Sequence, residues 1–330
     1  MPVEKTIAVQ AGDFGLLTRD WEILLERSVS RAIFLTPQWQ ELCWQNLDGE
    51  SWELLLISFR GADGPLGLAP LRRREGMICF LGNAEVSDYL DFVVQTGEEE
   101  TFYKALLDTL GGEQWDTLDL HGLPATSPTL SYLQSLAPGM GFSVSIEQEA
   151  VAPAMDLPDS WDGFQSSLNK KDRHELRRKI RRLTSNASAR YYCLGGEDLA
   201  GAMDDFLRLH RVSSDEKAAF MDSQMESFFR MMATSLAEKG WVKLYFLELD
   251  GERVSTALCF NYDEELLLYN SGFDPAFGWL SVGLLLKAYC VRDAIESGKR
   301  RFDFLRGSEH YKYELGGVDV PIYRCVVKRA

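Results

Sequence analysis

One order of elements occurs twice in this sequence. In the first half, apolar strand patterns at 52–59, 66–74 and 77–82 precede a helical pattern and the strand "WDTLDLHG". In the second half, "VKLYFLELDGERVSTALCFNYDEELLLYNSGF" contains three strand patterns, and a helical pattern at about 281–297 leads to the strand "RRFDFLRG". Gly64 to Trp115 spans 51 positions, and Gly251 to Arg301 spans 50. We therefore predict two copies of one α/β unit of about 150 residues each.

The connections within each copy predict the type of sheet. Three strands joined by short turns form an antiparallel meander, whereas a helix crossover brings the next strand in parallel. The predicted fold class is therefore α/β with a mixed sheet. Prolines cluster in "VAPAMDLPDS" at 151–160, so we predict the join there and the two domains at 1–155 and 156–330.

Composition narrows the class of protein. The 330 residues are 45% hydrophobic and 26% charged, which is typical of a soluble globular protein with a sizeable core. The net charge of −15 argues against a broad affinity for nucleic acid, because a phosphate backbone attracts positive surfaces. The six cysteines include no C-x-x-C pair and no signal-peptide core begins the chain, so we expect a cytoplasmic protein. Neither a membrane span nor a metal site is predicted from the sequence.

One strongly basic element interrupts this acidic composition. The segment "SLNKKDRHELRRKIRRL" at 167–183 holds eight Lys or Arg residues and two acids. Its apolar residues recur at helical spacing, so we predict a helix with one buried stripe. The basic face has three interpretations: a solvated surface, a site for an anionic substrate that involves Arg173 and Arg177, or a contact with RNA.

Several stretches of the second half together resemble a known family. They are the basic segment, "FLRLHR" at 206–211, "GWVKLYFLELDGERVSTALCFNYDEELLLYNSGFDP" at 240–275, "SVGLLLKAYCVRDAIESG" at 281–298 and "FDFLRGSEHYK" at 302–312. This set resembles the acetyltransferases of the bacterial cellulose-biosynthesis CelD/BioF2-like group, which belong to the GNAT superfamily and are similar to the Fem aminoacyl transferases. The resemblance implies two tandem GNAT-like domains, acetyl-CoA or another acyl-CoA as co-substrate, an amine-bearing acceptor and no metal.

The resemblance also implies where the donor binds. In GNAT enzymes the pantetheine arm lies along a strand end, and free N–H groups at the start of the next helix bind the CoA pyrophosphate. The strand "ELLLYNSGF" and the glycine-bearing loop after it match these features. The predicted donor contacts are Asn270, Ser271, Gly272, Gly278, Leu280, Ser281, Val282 and Gly283. By themselves, these residues also fit an ordinary turn and an ordinary helix start.

The stretch "RRFDFLRGSEHYKYELGG" at 300–317 carries candidate reaction residues. Acyl transfer from a thioester needs a neutral amine, a stabilised oxyanion and a proton for the departing thiolate. The resemblance implies that a tyrosine after the last strand supplies that proton, so Tyr311 and Tyr313 are candidates. Glu309 or Asp303 is a candidate acceptor of the amine's proton.

Several of these candidates have alternative roles. Asp303 also fits a structural ion pair with Arg306 or Lys312, because a buried carboxylate needs a partner. His210 lies four residues after Phe206, so it is either packed on that ring or a base that contacts the acceptor. The candidate substrate contacts in this region are Arg306, His310 and Lys312.

The function that we expect is N-acylation of a small molecule, amino sugar or peptide by direct attack of its amine. No nucleophile motif such as G-x-S-x-G points to a covalent intermediate. One alternative is a Fem-like transferase that uses aminoacyl-tRNA, which the basic helix favours. The other alternative is a non-catalytic GNAT-fold protein in polysaccharide or peptide assembly.

Overall fold

The computed structural model describes residues 7–48 and 51–329. The chain divides into two compact units, one formed by Met1–Ala150 with Pro321–Ala330 and the other by Val151–Val320. The predicted domains at 1–155 and 156–330 were contiguous, whereas in the structure the end of the chain belongs to the first unit. The reason is a last strand that pairs with a strand of the first unit, which no local pattern indicates.

The first unit is a sheet with four helices in its described part. Its strands are β1 (Ala8–Gly12), β2 (Glu53–Gly61), β3 (Gly64–Arg74), β4 (Met77–Phe80), β5 (Val93–Val94), β6 (Thr117–Pro124), the beginning of β7 (Phe142–Asp156) and most of β13 (Val318–Arg329). Its helices are α1 (Phe14–Arg27), α2 (Pro37–Cys43), α3 (Glu99–Gly111) and α4 (Pro128–Leu136). The order β1-β2-β3-β4-β6-β13 is antiparallel except for the parallel pair β4–β6, and β5 pairs with β3.

The second unit repeats this arrangement with more helices. Its strands are the end of β7, β8 (Ala189–Leu194), β9 (Val242–Leu249), β10 (Glu252–Tyr262), β11 (Glu265–Phe273) and β12 (Arg301–Asp303). Its helices are α5 (Trp161–Ser167), α6 (Lys170–Asn186), α7 (Asp198–Val212), α8 (Asp215–Phe220), α9 (Ser223–Ala237), α10 (Val282–Glu296) and α11 (His310–Glu314). The order β7-β12-β11-β10-β9-β8 is antiparallel except for the parallel pair β11–β12.

The predicted repeat and the mixed sheet are confirmed. In each unit a three-stranded antiparallel meander is followed by a helix and by a strand that pairs in parallel with the third strand. The turn between β9 and β10 has the conformation of a tight hairpin, whereas in the Asp63-Gly64 turn only the glycine has a positive φ, of 128°. Asp250 has φ 51° and Gly251 has φ 93°, and two consecutive positive φ values match the twist of a tight hairpin.

The helices of the second unit cover both faces of its sheet. Neighbouring residues of a strand point to opposite faces. A Cβ on Gly272 of β11 would lie 2.4 Å from the carbonyl oxygen of Leu209 in α7, and a Cβ on Gly283 of α10 would lie 2.8 Å from Cδ1 of Phe273. Helices α7 and α10 therefore pack on opposite faces of β11. Helix α10 is buried nearly all round, because α5 and α6 pack against it from outside the sheet.

Candidate active site

The candidate site begins where β11 and β12 separate. The two strands pair only over Glu265–Leu267 and Arg301–Asp303. After Asp303, the chain turns to β7 instead, where the N–H groups of Phe304 and Gly307 each donate to a β7 carbonyl at 2.9 Å. Strand β11 continues to Phe273, so among the described residues its edge on the β12 side is open beyond Leu267. The register of β10 and β11 also shifts at this point, which is a β-bulge.

The predicted contacts Asn270, Ser271 and Gly272 lie on this open edge of β11. The Oδ1 atom of Asn270 accepts a hydrogen bond from the backbone N–H of Ser271 at 3.1 Å. The Ser271 carbonyl accepts one from the ammonium of Lys217 in α8. The absence of a side chain at Gly272 is required by the close approach of α7. This segment is therefore both a strand edge and a packing surface.

Helix α10 begins beside the open edge, and its start lacks a side-chain cap. Ser281 has φ 59°, and its Oγ makes no capping hydrogen bond to the helix. The Oγ accepts a hydrogen bond from Nη2 of Arg182 in α6 at 3.0 Å instead. Nε of Arg182 is buried without a hydrogen-bond partner among the described residues. Free helical N–H groups next to a guanidinium form a site that favours an anion.

The other predicted donor contacts around α10 have different surroundings. The side chains of Leu280 and Val282 are buried in the core, so only their backbone groups are candidates for ligand contact. Gly283 is needed for packing against Phe273, as described above. Gly278 is exposed, and the nearest atom to a Cβ there would be Cε2 of Phe273 at 3.8 Å. A side chain at position 278 would therefore meet no steric obstacle.

Tyr311 of α11 lies against Lys287 of α10. The Lys287 ammonium is 4.5 Å from the centre of the Tyr311 ring, and it donates to the Gly283 carbonyl at 3.2 Å. Lys287 is only 8% exposed, and burial lowers its pKa to about 8. Burial raises the pKa of the Tyr311 hydroxyl, and the charge of Glu309 adds to the rise. The tyrosine is therefore protonated at neutral pH and lies next to a cation.

His210 lies under β11 on the face of α7. It is 1% exposed, and its ring is 5.8 Å from Phe206. Burial and the charge of Lys217 lower its pKa to about 4, and a hydrogen bond with Asn270 opposes these effects. His210 is consequently a neutral, packed imidazole at pH 7, which agrees with the structural interpretation of its position four residues after Phe206.

Lys312 stabilises the turn that follows β12. Its ammonium donates to the carbonyl oxygens of Leu305, Arg306 and Gly307 at 2.9, 2.9 and 3.0 Å. The same ammonium is 2.9 Å from a carboxylate oxygen of Glu309, and Lys312 is 1% exposed. These four contacts occupy the charge, so the structure places Lys312 in the framework rather than at a substrate-facing surface.

Asp303 is also part of this framework. Its Oδ1 accepts a hydrogen bond from the backbone N–H of Leu305 at 2.7 Å, and the residue is 3% exposed. Leu305 has φ 58°, a conformation that costs energy for a residue with a side chain. The bond from its N–H to Asp303 helps to hold that conformation. The Lys312 ammonium contacts the carbonyl oxygens of the turn and the Glu309 carboxylate. These contacts differ from the Asp303–Lys312 ion pair that was one of the predicted alternatives.

The remaining predicted residues of this segment point elsewhere or lie at its surface. The Tyr313 hydroxyl donates to Oδ1 of Asp319 at 2.7 Å, so Tyr311 is the tyrosine beside Lys287. His310 is exposed, and Arg306 is partly buried. In α6, Arg173 donates to the Ser166 carbonyl at 3.2 Å, and Arg177 donates to Oε1 of Gln165 at 2.9 Å. These two arginines therefore contact α5 and not the edge of β11.

Sequence reasoning did not single out Lys217, Lys287 or Arg182. Lys287 had a usable signal, since it is the one charge in "VGLLLKAYCV". Arg182 was one of eight basic residues in its segment, and nothing local separates it from the others. Lys217 lies on a short helix far from β11 in the sequence, so only the fold brings it to Ser271.

Two further findings bear on the type of site. Within the described ranges, the structure has no group of three His, Cys, Asp or Glu side chains that could hold a metal ion. No helix in those ranges has the length and apolar character needed to cross a bilayer.

Comparison with known proteins shows what the second unit and the whole chain are similar to. Residues 170–313 match the family model for the acetyltransferase (GNAT) domain. FemX superposes with a TM-score of 0.67 at 13% identity, over 96% of both chains. A tandem GNAT protein from the clavulanic acid biosynthesis pathway gives 0.52 at 11% identity, over 97% of this chain and 98% of that one. A C-terminal DUF2156 domain from Agrobacterium fabrum gives 0.57 at 10% identity, over 95% and 92%.

These likenesses confirm the predicted relation to GNAT and Fem proteins at the level of fold, and they do not test the CelD/BioF2-like group. No curated protein matches the chain. Residues 170–313 match the model for an acetyltransferase (GNAT) domain, and the chain as a whole has a double GNAT fold similar to those of FemX and the tandem GNAT protein.

Proposed function

We propose that the protein is an N-acyltransferase that uses acetyl-CoA or a longer acyl-CoA and acts on an amine of a small molecule, amino sugar or peptide. The observation that carries the proposal is the open edge of β11, which leads directly to the uncapped start of α10. An open strand edge offers backbone groups to the amides of pantetheine. An uncapped helix start with a guanidinium beside it suits a pyrophosphate.

The donor lies along Asn270–Gly272 and reaches the start of α10 with its phosphates. The N–H groups of Val282 and Gly283 and the guanidinium of Arg182 bind the pyrophosphate, because Arg182 already contacts Ser281 at that point. The acyl group then lies near Tyr311 and Lys287, whose ring centre and ammonium are 4.5 Å apart.

The reaction is direct attack of the amine nitrogen on the thioester carbonyl carbon. The new N–C bond forms, the C–S bond breaks, and the thiolate receives a proton from the Tyr311 hydroxyl. The amine's proton passes to the Glu309 carboxylate, whose side chain is 57% exposed and open to the acceptor. The positive charge of Lys287 stabilises the tyrosinate that Tyr311 becomes, because its ammonium lies against that ring.

Calorimetric titration with acetyl-CoA tests the donor site. Loss of a charge-assisted hydrogen bond to a phosphate is worth roughly a 10- to 100-fold change in affinity, so Arg182→Gln should weaken acetyl-CoA by that factor. Arg178→Gln is the matched control, because Arg178 lies on the same helix and pairs with Glu175 at 2.7 Å. Equal affinity for acetyl-CoA in wild type and Arg182→Gln would rule out phosphate binding at α10.

A second donor, aminoacyl-tRNA, is favoured by the basic face of α6. Arg177 and Arg181 are exposed there and make no ion pair among the described residues. Transfer assays with acetyl-CoA and with aminoacyl-tRNA, each on a panel of amines, separate the two donors. Turnover that ribonuclease abolishes would assign the tRNA donor, whereas acceptor-dependent release of free CoA thiol would assign acyl-CoA.

A further inference from the structure

A cavity of about 750 Å³ lies between α6, α10 and the strands β8 and β9. None of its lining residues belongs to the open edge of β11 or to the start of α10. It is therefore a different cavity from the proposed donor site, although α6 contributes to both: Arg182 contacts Ser281, and the neighbouring Arg181 lines this cavity.

The lining is positively charged in a protein of net charge −15. Arg177, Arg181 and Arg292 line it, and no acidic residue is among the described lining. Arg292 pairs with Glu296 at 2.7 Å, but neither Arg177 nor Arg181 has a carboxylate partner among the described residues. Two guanidiniums without carboxylate partners that line one cavity favour an anionic ligand.

Part of the lining of the cavity is aromatic. The rings of Tyr191 in β8 and Tyr289 in α10 stack with centres 4.4 Å apart and planes 8° apart. Trp161 of α5 adds a third aromatic side chain, and Leu247 and Ile180 add apolar surface. A flat, half-buried ring surface of this kind suits a planar group such as a base.

We propose that this cavity binds a nucleoside phosphate, with the phosphates at Arg177 and Arg181 and the ring against Tyr191. Guanidiniums recognise phosphate through paired N–H donors, and aromatic rings accept any base by stacking. The shared chemistry has two sources: a free nucleotide, or the nucleotide end of a CoA molecule bound at α10. A free nucleotide would go beyond the proposed acyltransferase function, whereas the CoA source rests on that function.

Calorimetry with the full chain and ADP tests the proposal. ADP should bind the wild type, and the Arg177→Ala/Arg181→Ala double variant should weaken it at least tenfold. Arg178→Ala is the matched control on the same helix and should leave ADP affinity unchanged, because Arg178 does not line the cavity. Tyr191→Leu keeps apolar volume but removes the ring, so ADP should weaken several-fold while inorganic phosphate binds as before.

The outcomes separate this proposal from the donor site. ADP binding that is absent, or that follows Arg182→Gln and ignores the double variant, overturns the nucleotide cavity and leaves the donor site standing. An RNA hairpin that binds through Arg177 and Arg181 while ADP does not would overturn it in favour of RNA. If ADP binds through the two arginines, competition with acetyl-CoA distinguishes the two sources. Displacement of ADP by acetyl-CoA means that the cavity holds the nucleotide end of the donor, and simultaneous binding of both means that it holds a separate nucleotide.

Discussion

The two units differ in the partners and pKa values of the ionisable side chains near their short parallel strand pairs. In the first unit, Arg324 donates to both carboxylate oxygens of Asp119 at 2.8 Å, and His121 contacts Asp119 at 3.3 Å and Glu149 at 2.6 Å. Hydrogen bonds to Asp119 and Glu149 raise the pKa of His121 to about 9. Burial opposes the ionisation of Asp119, but bonds from Arg324 and His121 keep its pKa well below the usual value.

In the second unit, the pKa values of two basic side chains are lowered instead of raised. Burial and the charge of Lys217 lower the pKa of Lys287 to about 8 and that of His210 to about 4. These side chains have neutral partners, such as the Gly283 carbonyl for Lys287. A network of mutually paired charges stabilises a fold, whereas a buried lysine such as Lys287, whose described contacts are a carbonyl oxygen and an aromatic ring, suits the proposed ligand site.

The helices that follow the two meanders show the same difference. Helix α3 of the first unit has Glu99 and Glu100 in its first turn. Negative charge at this position interacts favourably with the helix dipole and repels an anionic ligand. Helix α10 has no acid in its first turn, and Arg182 reaches it instead. This difference supports the proposed anion site at the start of α10 and disfavours an anion at the start of α3.

The largest expected effect is on turnover by the second unit. Tyr311→Phe removes the proposed proton donor and keeps the ring, so kcat with acetyl-CoA should fall by roughly 10²- to 10⁴-fold while the fold is retained. Tyr313→Phe is the matched control, since its hydroxyl bonds to Asp319 and should change kcat little. Full activity of Tyr311→Phe would show that the Tyr311 hydroxyl is not the proton donor. The second unit would then lack the catalytic group that sets it apart from the first.

The pH dependence of stability gives the next test. Lys287 has a pKa of about 8 in the folded protein instead of the usual 10.5. Between these values the unfolded chain binds more protons, so the free energy of unfolding rises with pH, by up to about 3 kcal/mol at about 1.4 kcal/mol per pKa unit.

Lys287→Met should lack this rise, because it has no proton to lose at that position. Urea unfolding of wild type and variant at pH 7 and pH 10 measures the difference, which cancels the titration of all other groups. Parallel pH profiles for the two proteins would show that Lys287 keeps an ordinary pKa.

The sequence supported the fold more fully than the site. Patterns of strands, Asp-Gly turns and helix starts are local, so the repeat and the mixed sheet could be predicted from them. The turn after Phe304 could not, because a positive φ at Leu305 is held by Asp303, and the Lys312 ammonium bonds to three carbonyls of the turn. The position of Lys312 among aromatic residues suggested substrate binding. Its contacts with the turn depend on how the chain folds after β12, and no local sequence pattern indicates that path.

A smaller effect tests whether the edge of β11 depends on packing by α7. A Cβ on Gly272 would lie 2.4 Å from a backbone oxygen of α7, and backbone cannot move aside cheaply. Gly272→Ala should therefore lower the free energy of unfolding by about 1–3 kcal/mol in urea titrations. Gly278→Ala, at an open position of the same predicted site, should change it by less than about 0.5 kcal/mol. Equal effects would mean that α7 does not constrain the strand.

The smallest effect concerns the charge network of the first unit. Because the pKa of His121 is raised from 6.5 to about 9, its contribution is complete below pH 6.5 and is lost as pH rises through 9. The side chain is 35% exposed, so solvent screening reduces the contribution to about 1–2 kcal/mol. His121→Gln should destabilise the protein by that amount at pH 6 and by almost nothing at pH 10, as measured by urea unfolding. Acetyl-CoA turnover should be unchanged in this variant, and a loss of turnover would contradict a purely structural role for the network.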